Sequence, residues 1–215
     1  MNEELIEILA GLDLDELETQ LALQCAPLLT GIKISNMLIV NLKDKEKVIH
    51  LFGDSSISFY ILYMSDRKVV FLLYDTEKLI QYIHKVGIRK LMILLGYQDY
   101  DLISILKELA KRYQGYMQNV RAFPHELGFL LGYPMEDVVG FIVNQGKNPI
   151  YTGYWKVYEN PVDKLKLFEQ YRMAKDMVIR LVAQGEGVQK LLKQYHRNSA
   201  SPNQYYESIL CYLFD

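Results

Sequence analysis

The chain predicts an α+β fold, with a small, mainly antiparallel sheet of about four strands covered by many helices and a helical C-terminal half. Three observations carry that reading. Ile57–Met64 and Val69–Tyr74 are rich in β-branched and aromatic residues, and Ser65-Asp66-Arg67-Lys68 between them reads as a hairpin turn. Elsewhere the apolar residues recur at helical spacing, most clearly Leu165, Phe168, Tyr171, Ala174, Val178 and Leu181. No strand is followed by a glycine-rich phosphate loop, so doubly wound nucleotide-binding folds lack their defining residues.

In chain order, residues 2–30 read as helical from Leu5, Ile6 and Leu9, then Leu14, Leu17, Leu21 and Leu28, with Pro27 expected to kink or restart the helix because it has no N–H. Gly31 is a natural stop, and Met37–Leu42 follows as a strand. The charge-rich Lys43–Lys47 reads as a solvated loop or helix start. After the hairpin, Asp75 can cap a helix to about His84, and further helices are expected at 87–95, 100–114, 124–131 and 134–145. Pro149–Tyr158 returns to strand. Asn160-Pro161 is a helix start, with the cap residue followed by proline at the first helical position. That long helix is interrupted at Gly185 and Gly187 and resumes over 188–196. Ile93-Leu94-Leu95-Gly96-Tyr97 is echoed by Phe129-Leu130-Leu131-Gly132-Tyr133, each reading as a helix stopped by glycine.

No composition break divides the chain, so a single domain over 1–196 is expected, with 197–215 as a polar loop and C-terminal amphipathic helix, Gln204–Phe214. Half of the 215 residues are hydrophobic, enough for a sizeable core. A net charge of −2 disfavours nucleic-acid binding, which normally needs a basic excess. Two cysteines, Cys25 and Cys211, are too few for a disulfide framework, and the acidic N-terminus lacks the basic region of a signal peptide. The apolar runs are too short to span a membrane. These features together read as a cytoplasmic protein. The histidines His50, His84, His125 and His196 show no metal-ligand spacing, and no cofactor motif is present.

Backbone-special residues concentrate in residues 123–158. Cys25-Ala26-Pro27, Phe123-Pro124-His125-Glu126-Leu127-Gly128, Leu131-Gly132-Tyr133-Pro134, Asp137-Val138-x-Gly140-Phe141-Ile142 and Gly153-Tyr154-Trp155-Lys156-Val157-Tyr158 occur in that order. Together they resemble an uncharacterised bacterial family, the domain-of-unknown-function family three-seven-nine-three. The resemblance covers most of the chain, from the first helix through the long helix after Asn160. It implies a bacterial setting and no particular activity. Lys33-Ile34 stands where the family has Lys-Pro.

Pro124 at a first helical position would put His125 and Glu126 in the first turn, where unpaired N–H groups and the helix dipole favour anions and neutral imidazole. Glu126 can bond back to the helix start, and Gly128 and Gly132 allow close packing or close ligand approach. In 154–158, alternation puts Tyr154, Lys156 and Tyr158 on one face, with Trp155 and Val157 on the core face. The leading functional reading is a non-catalytic binding or accessory protein for a small molecule or protein, using His125, Glu126, Tyr154, Lys156 and Tyr158. The alternative is a thiol-dependent hydrolase or acyltransferase. There Cys25, placed just before a helix start at Pro27, is the nucleophile, His125 the base, and Asp137 or Asn144 the orienting group. The C-terminal helix, with Tyr205, Ile209 and Tyr212 on one face, can dock on its own domain or form a homodimer.

Overall fold

The computed structural model describes residues 3–99 and 101–195; Gln204–Phe214 and Cys211 lie outside these. In chain order the elements are α1 (Glu3–Ala10), α2 (Leu17–Leu29), β1 (Ser35–Asn41), a 3₁₀ turn (Leu42–Asp44), α3 (Lys45–Gly53), β2 (Ile57–Met64) and β3 (Lys68–Asp75). Then come α4 (Thr76–Ile83), α5 (Val86–Leu94), α6 (Leu102–Met117), α7 (Leu127–Leu130), α8 (Met135–Val143), β4 (Tyr151–Thr152), β5 (Lys156–Val157), α9 (Pro161–Ala183) and α10 (Val188–Tyr195). The α+β class holds, with the strands in two small antiparallel sheets of three and two. None of the described helices is long and apolar enough to cross a membrane.

Contacts group the chain into two compact units, one of residues up to Thr76 and from Met173 onward, the other Glu77–Arg172. Their boundaries fall at the start of α4 and inside α9, where no turn or linker composition marks them.

The first unit is built on the sheet β1-β3-β2 with β3 central. Ser65 closes the β2–β3 hairpin: its N–H donates to the Lys68 carbonyl at 2.9 Å, and its Oγ accepts from the Lys68 N–H at 3.0 Å. Every residue of β3 from Val69 to Asp75 is buried, as expected of a strand covered on both faces. Val69, Phe71 and Leu73 share a core with Leu21, Leu28 and Leu29 of α2, Leu38 of β1, Phe52 of α3, and Val178 and Leu191 from the C-terminal helices. The outer edge of β1 is blocked by side chains of α2. The Gln24 amide accepts from the Ile39 N–H at 2.9 Å and donates to the Ile39 carbonyl at 3.0 Å, imitating a neighbouring strand.

The expected break at Pro27 falls elsewhere. The chain leaves the helix at Gly11, whose N–H still reaches the Glu7 and Ile8 carbonyls, and turns through Asp13 before α2 begins. Pro27 then sits in the last turn of α2, only two residues before its end, and the helix runs through it.

In the second unit the glycine stops behave as read. The Tyr97 N–H donates to the Met92 carbonyl and Gly96 N–H to Ile93; Tyr133 N–H donates to Gly128 and Gly132 N–H to Phe129. Gly96 at φ +86 and Gly132 at φ +71 supply the left-handed residue that this double closure requires. A small core of Trp155, Val157, Phe168 and Tyr171 joins the β4–β5 hairpin to the first half of α9.

Candidate functional site

The block at 123–158 lies in the second unit, but it does not begin with the expected helix. Pro124, His125 and Glu126 form a tight turn whose carbonyls accept from Leu127, Gly128 and Phe129, and α7 that follows is four residues long. Glu126 does not bond back to the helix start. Its buried carboxylate accepts from the Arg112 guanidinium at 2.8 Å and from the Tyr97 hydroxyl at 3.1 Å. Arg112 also bonds Glu108 at 2.8 Å and the Leu95 carbonyl at 2.9 Å, and stacks 4.3 Å over the Tyr97 ring. Burial, then the Glu126 charge, push the Tyr97 phenol well above its ordinary range. Arg112 and Tyr97 were missed from sequence, since nothing local marks them as partners of a residue in the following loop.

His125 is half-buried between two rings, Phe123 at 5.6 Å and Phe141 at 5.1 Å between centroids. Phe123 continues the aromatic run edge-on to Tyr116, at 5.1 Å. On the far side, the Lys156 ammonium lies 5.7 Å from the Phe141 ring centroid and donates to the Gly146 carbonyl at 2.7 Å. The result is a partly exposed aromatic shelf with an imidazole in it and an ammonium at its rim.

Asp137, expected as an orienting group for the imidazole, is committed to the 155–159 segment. It is buried in the first turn of α8. One oxygen accepts from the Trp155 indole at 2.8 Å, and the other from the backbone N–H groups of Tyr158 at 2.8 Å and Glu159 at 3.3 Å. Asn144 donates to the Gly140 carbonyl at 2.7 Å. The alternation in 154–158 holds, since Trp155 and Val157 are buried and their neighbours less so. The Tyr–Lys–Tyr set nevertheless splits. Tyr154 packs on Phe168 and Tyr171, at 5.5 and 5.1 Å, whereas Tyr158 lies against Gly140 and Lys156 beside Phe141. Pairing is confined to Tyr151–Thr152 with Lys156–Val157, so Tyr154 falls in the turn and leaves the strand face.

Cys25 belongs to the first unit, inside α2 and not ahead of a helix start. It is fully buried, 3.7 Å from the Met37 carbonyl, and accepts from the Asn36 amide at 3.6 Å. Burial pushes its thiol up to about 12, the reverse of the activation expected from a helix N-terminus. The same Asn36 accepts from the Lys33 ammonium at 2.7 Å, and burial brings that amine down to about 8. Among the described residues no group of three or more His, Cys, Asp or Glu is placed to hold a metal.

A polar groove of about 490 Å³ lies at the end of α5 and along α6, lined by Tyr97, Gln98, Ser104, Lys107, Glu108 and Lys111 among others. It borders the Glu126–Arg112 network through Tyr97 and Glu108.

No curated protein and no solved structure matches the chain. The family profile described as "Protein of unknown function (DUF3793)" matches residues 21–192, which takes in both units and every candidate site residue above. The resemblance read from the five ordered motifs is thereby established, and the chain belongs to this family of unknown function.

Proposed function

We propose that the protein is a non-catalytic binding or accessory protein whose contact surface is the aromatic shelf formed by Phe123, His125 and Phe141 with Lys156 at its rim. The observation that carries this reading is that the groups a thiol hydrolase would need are already used structurally. Asp137 has both oxygens engaged, and Cys25 is a buried thiol with a raised pKa. His125 and Lys156 are left beside half-exposed rings, an arrangement suited to stacking and hydrogen bonding of a ligand.

A fragment library screened by NMR tests the proposal. The expected result is a set of binders, aromatic ones among them, that shift the His125 ring resonances and lose at least tenfold in affinity in Phe141→Ala. Binders that ignore both His125→Ala and Phe141→Ala, and respond instead to Lys111→Ala, would move the site to the polar groove. The hydrolase alternative predicts something else. In a Cys211→Ser background, Cys25 would be alkylated rapidly in the native protein, and His125→Ala would abolish that reactivity.

A further inference from the structure

The charges around the aromatic shelf narrow what it binds, given that the shelf is the contact surface. From Tyr113 to Tyr158 the chain carries three acidic residues, and each already has its partners: Glu126 has Arg112 and Tyr97, Glu136 has Lys164, and Asp137 has Trp155 and two backbone N–H groups. The basic residues of the same stretch, Arg121, Lys147 and Lys156, form no ion pair with a described carboxylate. Two of these cations meet beside Phe141. A Cβ added at Gly146 would lie 3.0 Å from Phe141 Cζ, so the glycine packs on that ring. Its carbonyl accepts from the Lys156 ammonium at 2.7 Å, and Lys147 follows it in the chain with an exposed side chain. Two of the three donors of the Lys156 ammonium are left without an acceptor among the described residues.

His125 supplies the other half of the arrangement. Neither imidazole nitrogen is hydrogen-bonded to a described residue, although the ring is half-buried between Phe123 and Phe141. A flat ring stacked beside the imidazole needs polar atoms on its own edge to use those nitrogens, which a nucleobase has and a hydrocarbon ring lacks. The Phe141 centroid is 5.1 Å from that of the imidazole and 5.7 Å from the Lys156 ammonium, so a ring with a short linker to an anionic group spans both features.

We propose that the shelf binds a free nucleotide, the base stacking on Phe141 with its polar edge on His125, and the phosphate on the Lys147 and Lys156 ammonium groups. No glycine-rich loop is required, because the two ammonium groups hold the phosphate by charge-assisted hydrogen bonds. A long nucleic-acid strand is disfavoured by the net charge of −2, since its affinity grows with the number of phosphates neutralised.

Titration of the full chain with adenosine monophosphate, read by calorimetry and by the His125 ring resonances, tests the proposal. Adenosine monophosphate is expected to bind about tenfold more tightly than adenosine. Lys156→Gln should erase that preference, Lys147→Gln should reduce it about threefold, and Phe141→Ala should weaken both ligands about tenfold. Lys147 is exposed, so its variant keeps the test open should Lys156→Gln, which also alters the bond to Gly146, fail to fold. Equal affinity for adenosine monophosphate and adenosine, or no binding of either, overturns the nucleotide assignment. Should screened fragments still respond to Phe141→Ala in that case, the shelf stands as the contact surface and only its ligand class is wrong; should nothing respond to Phe141→Ala, both fall. Hexaadenylate bound more than about a hundredfold tighter than the monophosphate would make the shelf a strand-binding surface and overturn the free nucleotide as its ligand.

Discussion

The indole of Trp155 donates to the buried carboxylate of Asp137 at 2.8 Å, and this bond ties the β4–β5 hairpin to the first turn of α8. The indole also stacks on Tyr133 at 4.7 Å and meets Phe168 edge-on at 4.5 Å. Asp137→Ala would leave the indole and two backbone N–H groups without their acceptor, at a cost of about 3 kcal/mol or more. Trp155 is the only tryptophan in the chain, so its emission reports the site directly. A red shift together with a lowered urea midpoint is expected. A loss below about 1 kcal/mol with unchanged emission would show that the segment is held by other contacts.

The Glu126–Arg112 pair is expected to be strongly coupled. Glu126→Ala leaves the Arg112 guanidinium, mostly buried, with Glu108 as its remaining charge partner, and should cost about 3 kcal/mol. Replacing both residues, Glu126→Leu with Arg112→Met, should cost less than Glu126→Ala alone, because no deeply buried charge is left unpaired and Glu108, a third exposed, can turn to water. Urea denaturation of Glu126→Leu, Arg112→Met and their double variant reads the coupling, and simple additivity would refute it.

Lys33 and Cys25 give the first unit opposing pH dependences. Lys33 titrates at about 8 when folded against an ordinary 10.5, so between these values the unfolded chain binds more protons and stability rises with pH. Cys25 titrates at about 12 when folded against an ordinary 9.0, so above about 9 the folded chain binds more protons and stability falls. The Lys33 contribution therefore shows first, between pH 8 and 9, and is masked above. Relative to the wild type, Lys33→Met should lack the rise, and Cys25→Ala should extend it to about pH 10.5. Urea midpoints measured from pH 7 to 10.5 decide; identical profiles for all three proteins would contradict both assignments.

Gly140 is held by Tyr158. A Cβ at position 140 would lie 2.6 Å from both Cβ and Cγ of Tyr158, so the tyrosine must move, although alanine favours the helix by about 1 kcal/mol. Gly140→Ala should still destabilise by about 1–2 kcal/mol, and the cost should vanish in a Tyr158→Gly background, which removes both the Cβ and the ring. Thermal melts of the four-protein cycle measure it.

Much of the fold was legible because its signals are local. The β2–β3 hairpin, the Gly96 and Gly132 stops, and the start of α9 at Pro161 each depend on a few adjacent residues and appear where the sequence places them. Around His125 the same local logic misled. Pro124 satisfies the rule for a helix start, yet the chain makes a turn and only the short α7, with Glu126 drawn to Arg112 and Tyr97. Pro27 likewise satisfies the rule for a break, but so near the end of α2 that the helix continues through it to Leu29.

The sequence by itself determined the three longer strands and most of the helices, the alternation that buries Trp155 and Val157, and membership of the family through motifs spread across residues 21–192. Only the tertiary structure decided which polar residues are scaffold and which remain at the surface. Asp137 meets Trp155 from 18 residues away, Glu126 meets Arg112 from 14, and Cys25 is sealed between α2 and β1. Those outcomes turn on distance and desolvation, which depend on how separated segments pack and leave no mark in the spacing of neighbouring residues.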